Sequence, residues 1–188
     1  TIGKFYNENR TSIKYSDLPK HLVDATYQAM LKNLNGYAPS SGIGEAVKAI
    51  EAEAERKGIT NVHDIFVTTG ASEAIDICLT ALVNDGENVL TPTPGYPLYT
   101  AIASKLQMME NPYYLDESNG WLPDIGDIKS KINDKTKAIV LINPNNPTGS
   151  LYTRENLQQI VDLALEHNLV IFADEIYDKL LFDGKKHI

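Results

Sequence analysis

With 188 residues, 43% of them apolar, the chain is long enough to enclose the core of one sizeable α/β domain. Its 25 acidic and 17 basic residues leave a net charge of −8, and Lys and Arg are scattered except at Lys185-Lys186, which argues against a nucleic-acid or membrane surface. No apolar run approaches bilayer length and no signal pattern opens the chain, so a soluble, cytoplasmic protein is the expectation. The single cysteine, Cys78, rules out an intrachain disulfide; within Ile75-Asp76-Ile77-Cys78-Leu79 it is expected to be a small buried hydrophobe.

In chain order, Pro19 to Asn33 carries Leu22, Val23, Ala29 and Met30 at helical spacing after Asp17 and Pro19, and Gly36 ends the pattern. Gly44 to Lys57 is a second amphipathic helix, with Ala46, Val47, Ile50 and Ala54 on one side and Gly58 as its stop. Ile65 to Ala74 reads as strand, tight turn and helix start. Gly70 and Ala71 let the backbone approach an anion, Ser72 offers a capping hydroxyl, and the free N–H groups lie at the positive end of the helix dipole, where a phosphate fits. That helix should run from Ser72 to about Val83. A strand from Asn88 to Thr91 then leads into the rigid turn Thr93-Pro94-Gly95-Tyr96-Pro97, which presents Tyr96 as a flat face for a ring, and into a helix from about Pro97 to Leu106. Tyr113-Tyr114-Leu115 continues as strand, 116–126 is a loop carrying Trp121, and 127–132 is a short helix.

Ala138 to Ile142 and Leu169 to Ala173 are unbroken apolar runs, the pattern of parallel strands covered on both faces, joined by a crossover helix from Glu155 to His167. The first ends at Asn143-Pro144-Asn145-Asn146-Pro147-Thr148-Gly149 and the second at Asp174-Glu175-Ile176-Tyr177. Ligands of open α/β sheets collect beyond the carboxyl ends of the strands, so Asn146, Asp174 and Tyr177 are expected to meet in one crevice. A carboxylate, an amide and a phenol suit a hydroxypyridine such as pyridoxal phosphate. The carboxylate favours a protonated ring nitrogen, while the other two donate to the ionised ring oxygen. Singly, each signal is weaker: Asn-Pro and Pro-Thr-Gly are turn chemistry, and an acid at a strand end commonly caps a helix or binds metal. His21, His63, His167 and His187 show no metal-ligand spacing and read as surface residues.

Taken in order, Gly36-Tyr37 before Gly42, Gly70-Ala71-Ser72, Pro94-Gly95-Tyr96-Pro97, Asn143 to Gly149 and Asp174 to Tyr177 resemble the cofactor-binding half of a fold-type I, class I/II aminotransferase of the alanine/aspartate type. The resemblance implies the three-layer α/β/α large domain of the PLP-dependent transferases, with a mainly parallel sheet that is incomplete in this chain. Residues 1–36 would form an N-terminal segment and helix, and 37–188 the first part of the large domain. It implies pyridoxal 5'-phosphate as cofactor, with Asp174 at the ring nitrogen, Tyr177 and Asn146 at the ring oxygen, Tyr96 stacked on the ring, and Ala71 and Ser72 at the phosphate. Asn146 would also touch the substrate carboxylate, as would Gly3, and Tyr37 would reach the phosphate of the neighbouring subunit in a homodimer. The implied activity is ping-pong transfer of an amino group between an amino acid, of the alanine or aspartate type, and a 2-oxo acid. The Schiff-base lysine and the carboxylate-gripping arginine are expected beyond Ile188, so the fragment alone should be inactive. A C–S lyase of the same fold and a PLP-binding sensor domain of a transcription regulator remain alternatives. A nucleotide-binding protein does not, because Gly70-Ala71-Ser72 matches neither the dinucleotide nor the P-loop glycine pattern.

Overall fold

The computed structural model describes residues 19–188, so Gly3 and Asp17 lie outside the described residues. Contacts divide the chain into two compact units, one ending at Val67 and the other running from Thr68 to Ile188.

The described part of the first unit holds α1 (Lys20–Leu31) and α2 (Gly44–Arg56). Pro19 stands at the N-terminal boundary of α1, where its missing N–H costs nothing, and an ion pair from Lys20 to Asp24 spans one turn. Neither helix buries a residue; Leu22, Val23 and Met30, the apolar stripe of α1, are all exposed. Two helices supply too little chain to enclose a core of their own. The strand expected at Ile65 is not formed. Val67 makes a single backbone bond, from its N–H to the Ser41 carbonyl at 2.9 Å, and a strand without a ladder of such bonds does not persist.

The second unit alternates helix and strand: α3 (Gly70–Leu82), β1 (Asn88–Thr93), α4 (Pro97–Lys105), β2 (Met109–Asp116), β3 (Leu122–Pro123), α5 (Ile125–Lys131), β4 (Thr136–Ile142), α6 (Arg154–Glu166) and β5 (Val170–Asp174). The sheet order is β3-β2-β1-β4-β5, parallel throughout except for the antiparallel β2–β3 pair. The chain leaves β1 towards β2 on one side and returns to β4 on the other, so the strand order switches between β1 and β4. That is where an open α/β sheet forms its ligand crevice.

β4 is buried on both faces. Ala138, Val140 and Ile142 pack with Ile75 and Leu79 of α3 and Ile102 of α4, whereas Ile139 and Leu141 pack with Ile128 of α5 and Ile160 of α6. This period-2 division explains the unbroken apolar run. β5 carries a similar run but is an edge strand among the described residues, with Val170 and Ala173 exposed, so the expected two-sided cover is only partial. Cys78 is also exposed, contrary to expectation: Ile75 and Leu79 occupy the buried stripe of α3 and Cys78 falls beside it.

At the N-terminal end of the sheet the strands are joined by side-chain amides. Asn88, 3% exposed, accepts at Oδ1 from Asn111 Nδ2 (2.9 Å) and from the Thr136 hydroxyl (2.9 Å), and donates to Asn133 Oδ1 (3.2 Å). The polar start of β2, Glu110-Asn111-Pro112, is thereby accommodated in a strand that the sequence marks only from Tyr113. No described helix is long and apolar enough to cross a membrane.

Candidate cofactor site

Four segments meet at the carboxyl ends of β1, β4 and β5. The first is the start of α3. Gly70 has φ +74°, a conformation that favours glycine, and its N–H turns back to the Thr68 carbonyl at 2.8 Å. Thr69 precedes the helix without a side-chain cap, and its own N–H is taken by the Glu73 carboxylate, which reaches back one turn. The capping role expected of Ser72 is therefore not realised: α3 begins two residues earlier, so Ser72 sits within the first turn, exposed beside Ala71. Its N–H still lies in the first turn, where backbone donors have no intrahelical acceptor.

The second segment is the turn after β1. Gly95 packs so tightly that a Cβ there would stand 2.2 Å from the Pro92 carbonyl oxygen, and this closeness sets the direction in which Tyr96 leaves the turn. Tyr96 caps the N-terminus of α4, with Pro97 at the first helical position.

The third and fourth segments are tied together. Beyond the β4–β5 ladder, which ends with Ile142 opposite Asp174, the Asn143 N–H donates to the Asp174 carbonyl at 3.0 Å. The Asn143 side-chain oxygen accepts from the Tyr152 amide (3.0 Å), and Asn145 Oδ1 accepts from the Thr148 hydroxyl (2.9 Å), so the Asn-Pro-Asn-Asn-Pro-Thr-Gly turn is braced from inside. Asn146 emerges from it half-buried. His187, expected at the surface, is also half-buried, with its Nε2 3.0 Å from the Asn143 carbonyl oxygen.

Ala71, Ser72, Tyr96, Asn146, Asp174 and Tyr177 together line one crevice of about 200 Å³ whose apolar floor is Ile75 and Ile142. All six belong to the second unit. Tyr37, also singled out by the sequence, lies in the first unit and is fully exposed. A larger cavity of about 310 Å³ shares the Tyr96 wall and also touches Tyr99, but its other polar lining is Thr91, Thr93, Thr100 and Glu110, and none of Asn146, Asp174 and Tyr177 reaches it. Among the described residues no cluster of His, Cys, Asp and Glu has the arrangement of a metal site.

Tyr99 was not legible as a site residue. It is 3% exposed, one helical turn after Tyr96, and its hydroxyl donates to Asp174 Oδ2 at 2.8 Å. Burial first, and then the Asp174 charge, push this phenol far above the usual tyrosine range, so it remains a donor. The other carboxylate oxygen of Asp174 receives only a long contact, 3.4 Å, from the Ile176 N–H. The i, i+3 spacing of Tyr96 and Tyr99 was the available signal.

The donor set fits a flat anionic aromatic molecule with a basic ring nitrogen. The crevice is lined by the half-buried Asp174 carboxylate, the Asn146 amide, the Tyr177 phenol, the Tyr96 ring and the first turn of α3, together with the apolar Ile75 and Ile142. An α/β protein with this crevice at its switch point has the architecture of a cofactor-dependent enzyme domain.

The sequence family Aminotransferase class I and II matches residues 6–188, and the chain belongs to that family, whose members use pyridoxal phosphate. The chain is 50% identical to glutamate-pyruvate aminotransferase AlaA of Haemophilus influenzae over 163 residues, covering 84% of this chain and 40% of that protein. It is 48% identical to alanine aminotransferase of Mycobacterium tuberculosis over 156 residues, 81% of this chain and 36% of that one. Alanine aminotransferase from Pyrococcus furiosus superposes with a TM-score of 0.85 at 37% identity, over 95% of this chain and 45% of that structure. The chain thus spans less than half the length of each of these three relatives. The sheet and its layers are those of the aminotransferase large domain, present in part.

Proposed function

We propose that this chain is the cofactor-binding part of a cytoplasmic PLP-dependent aminotransferase that exchanges an amino group between glutamate and pyruvate, or a closely similar pair of amino and 2-oxo acids. The observation that carries the proposal is the convergence of Asp174, Asn146, Tyr177, Tyr96 and the α3 N-terminus on one crevice. The glutamate-pyruvate and alanine specificities of the relatives support the choice of substrates.

In this reading the Asp174 carboxylate holds a proton on the ring nitrogen by opposite charge. The Asn146 amide and the Tyr177 hydroxyl donate to the ring oxygen and favour its ionised form. The first-turn N–H groups of α3 and the Ser72 hydroxyl take the phosphate, with Ala71 leaving room for it, and Tyr96 covers one face of the ring and excludes water from it. Pyridoxal phosphate, when bound, supplies the electron sink that lets an amino acid lose its Cα proton. Asn146, at the rim, also faces the incoming carboxylate. Contact of Tyr37 with a partner subunit's phosphate in a homodimer, and of Gly3 with the substrate, belong to the same proposal and rest on the family resemblance.

The test is to incubate the full-length protein with pyridoxal phosphate, L-alanine and 2-oxoglutarate and to follow pyruvate and glutamate together. Equal formation of both supports transamination. Formation of neither, with aspartate as donor equally inert, refutes it.

A further inference from the structure

Asp174 ends an edge strand, and an aspartate there can rotate about two bonds. A carboxylate that is to hold a ring nitrogen has to be both ionised and fixed in orientation before the ligand arrives. The strand backbone does not provide this. The Ile176 N–H, at 3.4 Å, lies beyond good hydrogen-bonding distance for an amide.

Tyr99 provides it from another element. Its ring packs with Val140 and Ile142 of β4 and Ile75 of α3 in the core, so the hydroxyl has little freedom of its own. It meets Asp174 Oδ2 at 2.8 Å across 75 residues of sequence. Because Tyr96 lies three residues earlier, at the cap of the same helix, one turn of α4 both supplies the aromatic wall and anchors the carboxylate. We propose that Tyr99 is a positioning residue for the cofactor's ring nitrogen: by donating to Oδ2 it fixes the rotation of Asp174, favours its ionised form, and leaves the remaining carboxylate lone pairs for the ring.

The inference rests on the reading of Asp174 as the nitrogen's partner. A donor to the ionised carboxylate stabilises the charged pair, pyridinium with carboxylate, relative to the neutral pair in which the proton resides on Asp174. Loss of the Tyr99 hydroxyl therefore shifts the proton away from the ring. A purely structural tyrosine would leave the proton's position unchanged.

The experiment uses the full-length protein loaded with pyridoxal phosphate isotopically labelled at the ring nitrogen, whose NMR signal reports protonation. Tyr99→Phe keeps the ring and its packing; it should move the nitrogen signal towards the unprotonated value and lower kcat roughly 10- to 100-fold with KM little changed, the scale of one hydrogen bond to a charged group. Incorporating 3-fluorotyrosine at position 99, a stronger donor of nearly the same shape, should move the signal the opposite way, and it keeps the question answerable if Tyr99→Phe folds poorly. Asp174→Asn is the reference. If it moves the nitrogen signal and neither change at position 99 does, the positioning role of Tyr99 is wrong and Asp174 stands. If Asp174→Asn also leaves the signal in place, Asp174 is not the partner, and both readings fall.

Discussion

Replacing Asp174 by alanine and by asparagine should separate two quantities that the wild-type residue combines. Alanine leaves the Tyr99 hydroxyl, 3% exposed, without its acceptor; an orphaned buried donor costs about 1–3 kcal/mol. Asparagine retains a carbonyl oxygen at the same reach, so only the charge-assisted part of the bond is lost, about 1 kcal/mol. Urea unfolding of the full-length apoprotein should therefore place alanine below asparagine, and asparagine only slightly below wild type. Turnover should not follow that order. Neither side chain supplies a negative charge, and loss of one member of a buried charge pair costs about 3–5 kcal/mol, while exposed pairs are worth at most about 1. For a half-buried Asp174 the intermediate, about 2 kcal/mol, corresponds to a loss of about 30-fold in kcat for both variants. Near-normal turnover of Asp174→Asn would refute the electrostatic role. Equal stability of the two variants would show that the bond to Tyr99 contributes nothing to the fold.

Gly95→Ala drives a Cβ against the Pro92 carbonyl, 2.2 Å away, so the turn must shift and carry Tyr96 with it; affinity for pyridoxal phosphate, measured by fluorescence titration, should fall while the sheet's circular dichroism is kept. Tyr177→Phe removes a donor that favours the ionised ring oxygen, and the pH midpoint of the bound cofactor's visible absorbance should rise; an unchanged or lower midpoint separates Tyr177 from that oxygen. The Glu87 carboxylate is held below its ordinary value of 4.5 by the Asn84 amide first and then by Lys137. A carboxylate depressed on folding contributes stability above its unfolded pKa and loses it as pH falls through the folded one, so the difference between wild type and Glu87→Gln should be largest near neutrality and vanish in acid.

What the sequence disclosed followed burial. β4 was readable because both its faces are covered, and its alternation merges into one apolar run. The same reasoning overestimated β5, since an edge strand and a central strand of similar composition differ only in their neighbours. The first half of β2 was invisible because Asn111 is paired by a side-chain network rather than by apolar packing. At the site, Asn146, Asp174 and Tyr177 could be named because strand ends and turn residues locate themselves. Ser72 does line the crevice but does not cap the helix, because α3 starts two residues before the boundary that its hydroxyl suggests. Tyr99 escaped because an aromatic residue inside a helix reads as packing, and its acceptor lies on an element that only the folded sheet brings near. The burial expected of Cys78 failed for a comparable reason, since one helical position separates it from the stripe that Ile75 and Leu79 occupy.

Asn143 gives the crevice one stiff wall. Its N–H adds a rung beyond the β4–β5 ladder, bonded to the very residue that carries the carboxylate, and its side-chain oxygen secures the loop that carries Asn146. The strand end that carries Asp174 and the loop that carries Asn146 are therefore tied through a single residue, so a displacement of one is expected to be passed to the other instead of widening the gap between them. Among the described residues no backbone bond of this kind joins the α3 N-terminus to the Tyr96 turn, so that side of the crevice is expected to give more easily. Hydrogen exchange should show this asymmetry as one fixed jamb beside a looser one: the Asn143 amide is expected to exchange slowly for deuterium, and the Ala71 and Ser72 amides quickly.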